Sequence, residues 1–179
     1  MAATLQQIEG VPAAWPTVPA GLSVEANALD PAFVWGRIEP YTTCRFTSRS
    51  VAWVVEGPGE WMPPLAPATV AAVEGWTGMA WAAVVLNPSP LGGYDLPAVG
   101  PYRFTGTAGG GVVPAPVSEA YRRLAEYFGA PNDSPPGSAD MQSAIGPISE
   151  NISRQATWLA RAMINSGAAD LLRPYRRAA

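Results

Sequence analysis

The 179-residue sequence predicts an α+β fold with an antiparallel β-rich centre over about 43-107. Three observations carry that expectation. Apolar residues alternate with period two after Thr43, and they recur at three- and four-residue spacing from Val113 to Gly129. Prolines (20) and glycines (18) punctuate the chain densely, and charged residues make up only 14% of it against a usual ~25%, so turns and short elements are expected rather than long helices.

Met1 to Leu29, with Pro12, Pro16 and Pro19, reads as an extended or irregular lead-in with Trp15 as an anchor. Asp30 as N-cap and Pro31 at the first helical position then open a short helix over about 30-39. It carries Phe33, Val34 and Ile38 on one face, and Pro40 should stop it near Glu39. In RFTSRSVAWVV, Phe46, Val51, Trp53 and Val55 can face one way and Ser50, Ala52 and Val54 the other, as a strand requires. Gly57-Pro58-Gly59 should end that strand, and the prolines of Glu60 to Ala68 exclude a central strand there, because proline cannot donate to a ladder.

Three further strands are expected at Thr69 to Trp76, Met79 to Leu86 and Tyr102 to Thr107. Thr77-Gly78 reads as a tight hairpin turn, and Asn87-Pro88 through Gly92-Gly93 as a longer loop, so an antiparallel meander is the economical arrangement. No repeat period and no βαβ alternation is present.

Gly109-Gly110-Gly111 breaks the pattern, and Pro114 and Pro116 suit the first turn of a helix over 114-129. Val113, Val117, Ala120, Tyr121, Leu124 and Phe128 form its apolar face. Glu119, Arg122, Arg123 and Glu126 lie opposite, with Glu119 complementing the helix dipole and Gly129 placed as a left-handed C-cap. Pro131 to Gly146 reads as a polar loop. A second long helix is expected over 149-166, with Ser149 or Ser153 as N-cap, Ile152, Ala156, Leu159, Ala162 and Met163 on one face, and Gly167 at its end. The remainder, GAADLLRPYRRAA, is too short to be stable alone and must dock or stay loose.

The chemistry available is narrow. There is no His and no Lys, so all eleven positive charges are Arg, and the commonest general base, Schiff-base chemistry and the phosphate-loop lysine are all missing. No catalytic residue, cofactor or metal site is expected, and the chain is read as not an enzyme. The single Cys44 excludes an internal disulfide framework and reads as a small buried hydrophobe. With no basic-then-apolar start and no run of ~20 apolar residues, the expectation is a soluble product of the cytoplasm with no membrane partner. Arg154 to Ala179 holds five Arg and one Asp, and Met1 to Ser153 six Arg and thirteen acids, a basic end on an acidic body. That body argues against general nucleic-acid binding.

Individual candidates have bland readings beside them. Glu56, Glu60 and Glu74 could act as an acid and base pair, but carboxylates at strand ends are commonly solvated and nothing orients a nucleophile there. The triple glycine lacks the spacing of a phosphate loop, and Asn132-Asp133-Ser134 and Asn151-Ile152-Ser153 match a glycosylation triplet without a secretory signal. The loop Trp61, Met62, Pro63, Pro64 is either core packing or a partner-binding loop. Leu171, Leu172, Arg173, Tyr175, Arg176 and Arg177 combine apolar area with Arg and Tyr, the composition of an interface anchor, and are favoured as a docking arm over a solvated tail.

Four stretches together resemble a known family: the short helix leading into RIEPYTTCRF, the Trp-rich VAWVVEG to PYRFTGTAG, the break-then-helix VVPAPVSEAYRRLAEYFG, and SGAADLLRPYRR. The chain is similar to the head-to-tail adaptors, or connectors, of long-tailed bacteriophages and phage-derived gene transfer agents. The resemblance implies a small helical bundle with an inserted antiparallel β-meander or hairpin and an extended C-terminal arm: an adaptor domain over 1-166 and a docking arm over 167-179. It implies a ring of about twelve copies under the portal, joining the portal protein to a stopper or other neck or tail protein, with DNA passing through the channel without specific binding. The location implied is the virion neck. Leu171, Leu172, Arg173, Tyr175, Arg176 and Arg177 would be the portal-docking arm, and Val117, Tyr121, Leu124 and Phe128 the bundle core. Two readings compete with it: a β-rich aromatic binding module, for carbohydrate for example, using Trp53, Trp61, Trp76 and Trp81 as stacking platforms, and a paired-carboxylate hydrolase.

Overall fold

The computed structural model describes residues 2–90, 92–130, 140–145, 148–153 and 159–176. The chain divides into two compact units, Met1–Pro16 with Thr42–Val112 and Arg176–Ala179, and Thr17–Tyr41 with Val113–Tyr175. The first is β and the second mainly helical, an α+β protein with an antiparallel sheet.

The sheet unit is built from β1 (Ala3–Glu9), β2 (Arg49–Trp61), β3 (Ala68–Trp76), β4 (Trp81–Ala83), β5 (Asn87–Pro88) and β6 (Tyr94–Ala108). The strand order is β1-β2-β6-β3-β4, with β5 beside the start of β6. Period two holds along β2, where Val51, Trp53 and Val55 are buried and Ser50, Ala52 and Val54 are not. The register sets Trp53 opposite Phe104 and Phe104 opposite Val73, so β6 lies between the other two long strands. Trp53, Trp61, Phe104, Leu96 and Leu65 make the centre of the core. The Trp61 ring lies 4.2 Å from Phe104 and 5.7 Å from Trp53.

Several expectations change here: the strands do not follow one another as a simple meander, since β6 inserts between β2 and β3; the strand expected at Met79 to Leu86 is only Trp81–Ala83; and Asn87–Pro88 of the expected loop is a short strand. β2 does not end at Gly57-Pro58-Gly59 but runs on to Trp61, because the register shifts between Gly57 and Gly59 and the bulge takes Pro58 out of the ladder, where its missing N–H costs nothing. The lead-in, in turn, contributes β1 to the sheet edge. Its polar residues make that possible: Gln7 Oε1 accepts from Trp53 Nε1 at 2.9 Å and Thr4 Oγ1 from Trp61 Nε1 at 2.8 Å, so both buried indoles are satisfied. Trp15 does serve as an anchor, with Arg49 stacked 5.3 Å over its ring.

The helical unit holds α1 (Val24–Asn27), α2 (Pro31–Thr42), α3 (Ala115–Gly129), the hairpin β7 (Asp140–Ile145) and β8 (Ile148–Ser153), α4 (Ala162–Asn165) and α5 (Ala168–Leu172), followed by a 3₁₀ turn at Arg173–Tyr175. α3 packs against α1, α4 and α5 and buries Val117, Ala120, Tyr121, Leu124 and Ala125. Phe128, at the margin of that face, meets Phe33 edge-on at 4.8 Å. Trp35 of α2 lies 5.1 Å from Tyr121.

Here too the chain departs from expectation. α2 passes through Pro40 to Thr42. Pro40 stands in the last turn, so the bond it cannot donate to the Gly36 carbonyl leaves only Tyr41 and Thr42 beyond the break, and Ile38 and Glu39 just before it are buried. Gly129 is not a left-handed cap but the last helical residue, with Ala130 as C-cap. Glycine is required for space: a Cβ there would stand 2.6 Å from the Ala26 nitrogen. Among the described residues, the helix expected over 149-166 is a strand at Ile148–Ser153 and a helix at Ala162–Asn165, and part of the loop expected to Gly146 is the strand Asp140–Ile145. Met141 and Ile145, and likewise Ile148 and Ile152, are four apart, a spacing that satisfies a helix face and a strand face equally.

Candidate functional site

The C-terminal segment starts from Gly167, whose φ of 72° turns the chain from α4 into α5. Leu172 is fully buried in the helical unit with Ala168, so it fastens the segment rather than offering itself to a partner. This corrects its place in the docking arm: the amphipathic five-residue helix spends that leucine on its own fold. Leu171 is half-buried, Arg173 is exposed and bonded to the Asp170 carboxylate at 3.1 Å, Tyr175 is half-buried and Arg176 exposed. Arg177 lies outside the described residues. What the segment presents is a short basic turn.

The second candidate divides in the same way. Trp61 is core, Met62 is 46% exposed, Pro63 is half-buried and Pro64 exposed, while Leu65 anchors the far side. Trp61 fits the core reading, and Met62 and Pro64 are the residues left to the partner-loop reading.

The four-tryptophan stacking row does not exist. Trp53 and Trp61 are 0% and 5% exposed, inside the sheet unit's core. Trp76 and Trp81 are paired across the β3–β4 hairpin, with ring centres 5.3 Å apart. Arg103 stacks 4.8 Å over Trp81 and forms an ion pair with Glu74 at 2.6 Å. That pairing also takes Glu74 from the proposed acid and base set, and Glu60 accepts from Ser89 Oγ at 2.7 Å.

Sequence reasoning missed a cluster that fixes the lead-in. Arg45 and Arg49 are nearly buried, and the Glu9 carboxylate accepts from Arg45 Nη2 at 2.9 Å and from Arg45 Nε. The Arg45 hydrogen bonds hold the Glu9 carboxyl below its ordinary value, against the opposing effect of burial. Three charges spaced so far apart in sequence give no local signal. In the helical unit, Ser23 caps α1 and gives its N–H and Oγ–H to Glu126 at 2.7 and 2.8 Å, which lowers the Glu126 carboxyl. Glu119 binds Arg122 and Arg123 and is held at about 2 by those bonds; it serves these partners rather than the helix dipole.

Among the described residues no helix is long and apolar enough to cross a membrane, and no group of three His, Cys, Asp or Glu could hold a metal ion. No protein-family model and no curated protein matches the chain. Among solved structures, it is similar to a chain from the neck of an empty gene transfer agent particle computed with C6 symmetry, at 18% identity and TM-score 0.53 over 98% of this chain and 97% of the other. It is also similar to chains from the neck of a native particle computed with C12 symmetry (18% identity, TM-score 0.47, 87% and 81% covered) and from the virion of a native gene transfer agent (18%, 0.49, 90% and 86%). At this identity the first likeness establishes a shared fold.

Proposed function

We propose that this chain is a structural head-to-tail adaptor of a tailed phage or phage-like particle. In this reading about twelve copies form a ring beneath the portal, joining it to a stopper or other neck or tail protein around the DNA channel, and the protein resides in the virion neck. The observation that carries it is the fold shared, nearly end to end in both chains, with a neck chain of a gene transfer agent particle. The chemistry is consistent with a structural role: no His, no Lys, and Glu9 and Glu126 engaged by Arg45 and Ser23. The basic turn of Arg173, Tyr175 and Arg176 supports the portal-docking assignment in a reduced form, without Leu172. An acidic body lets DNA pass without adhering.

Quantitative mass spectrometry of purified particles tests both parts. The wild-type chain should be present at about the portal's copy number, and a particle preparation carrying the Arg173→Glu/Arg176→Glu variant should lack it while the purified variant stays folded. A chain absent from wild-type particles sinks the adaptor reading, and full incorporation of the variant sinks the docking turn.

A further inference from the structure

Arg45, Arg103, Arg122, Arg123 and Arg173 each hold a carboxylate. Arg37, in α2 of the helical unit, holds none among the described residues, yet its place is fixed. Its guanidinium carbon lies 5.3 Å from the centre of the Phe33 ring and 5.1 Å from that of Phe128, and Nη1 donates to the Leu159 carbonyl at 3.3 Å. The two rings meet edge-on at 4.8 Å, so the aromatic platform that holds the charge is itself packed.

Stacking occupies the flat faces of a guanidinium and leaves its edge N–H groups to hydrogen-bond, in a fork that matches a carboxylate. Arg37 is half-buried, so a carboxylate that meets it is drawn more strongly than by a fully solvated Arg. Phe33 and Leu159, each 43% exposed, supply apolar area beside the charge. An Arg flanked by aromatic and aliphatic side chains is the composition of a binding anchor. Charge then selects the occupant. A nucleic acid needs several cations on one face, whereas the helical unit holds nine acids against six Arg and sets one Arg at this patch. A protein carboxylate meets a single cation one to one.

We infer that Phe33, Arg37, Phe128 and Leu159 form a docking surface for a protein segment carrying an Asp or Glu between apolar residues. The segment's carboxylate pairs with the guanidinium edge of Arg37, and its apolar residues cover Phe33 and Leu159. This surface shares no residue with the basic turn of Arg173 and Arg176, and it does not rest on the adaptor reading.

The test is selection from a displayed library of random peptides against the full chain. Binding of the selected peptides is then read by fluorescence anisotropy on wild type and on variants whose fold is verified by circular dichroism. The peptides should share an Asp or Glu flanked by apolar residues, and Arg37→Gln should weaken their binding at least about tenfold. Phe33→Ser, which keeps the charge and removes the exposed ring, should weaken it as well. A charge swap reads the pairing itself: Arg37→Glu should lose the acidic peptide and gain the same peptide with Arg in place of its acid. A library that yields no binder, binders without an acid, or binders indifferent to Arg37→Gln overturns the surface. Loss without the gain in the swap overturns the pairing of Arg37 with a carboxylate. Duplex DNA that binds more tightly than the peptides, and is released by Arg37→Gln, assigns the Arg to phosphate and overturns the protein partner. None of these readouts involves particle copy number, so the adaptor reading stands or falls separately.

Discussion

In the sheet unit the buried centre is aromatic, Trp53, Trp61, Tyr102 and Phe104 with a single alanine, Ala108. In the helical unit five of the buried hydrophobics among the described residues are alanines, Ala26, Ala120, Ala125, Ala162 and Ala168. The first unit gains its stability from large side chains interdigitating across strands. The second gains it from backbones brought close, as where α1 passes over Gly129. Removal of atoms should therefore hurt the sheet most, and addition of atoms should hurt the helices.

The largest effect is expected for Trp53→Ala, which empties the middle of the aromatic cluster and frees Gln7. It should cost about 3–5 kcal/mol, read by chemical denaturation with tryptophan fluorescence. A loss below ~1 kcal/mol would break the comparison at its sheet end. Gly129→Ala is next and sharper, because its sign is diagnostic. In an open helix the change stabilises by up to ~1 kcal/mol, but a Cβ 2.6 Å from the Ala26 nitrogen should turn that into a loss of about 1–3 kcal/mol. A stabilised variant would mean that α1 does not press on α3.

The smallest effect separates the two units by pH. The Glu9 carboxyl is lower in the folded sheet than in the unfolded chain, so its pairing with Arg45 stabilises above the ordinary carboxyl value of 4.5 and is lost as pH falls through the folded value. Glu9→Gln should flatten that acid limb of the sheet unit's stability. In the helical unit Glu119 is held at about 2, yet its carboxylate lies at the surface, where solvent screens the pairing, so Glu119→Gln should change acid stability less. A larger effect from Glu119 would reverse the ranking.

Legibility in the sequence tracks how local each constraint is. Alternation over Val51, Trp53 and Val55, and the three-and-four spacing of Val117, Tyr121 and Leu124, report burial directly, because a side chain's face follows from backbone period alone. Of the candidate site, the sequence showed the basic character of the C-terminal segment but not which of its residues face outward. Arg173 and Arg176 stand where a basic end would, but the inward turn of Leu172 and the exposure of Trp76 and Met79 depend on neighbours distant in the chain.

By itself the sequence determined the α+β class, the strand at Val51–Val55, the helix ending near Gly129, and the exclusion of chemistry that needs His or Lys. Only the tertiary structure decided that β6 lies between β2 and β3, that the lead-in supplies an edge strand, that Glu9 meets Arg45, and that residues 148–153 pair with 140–145 instead of coiling. The physical reason is the same in each case. Backbone period and residue type act within a few residues, whereas register, close approach and charge pairing are set by what the fold brings alongside.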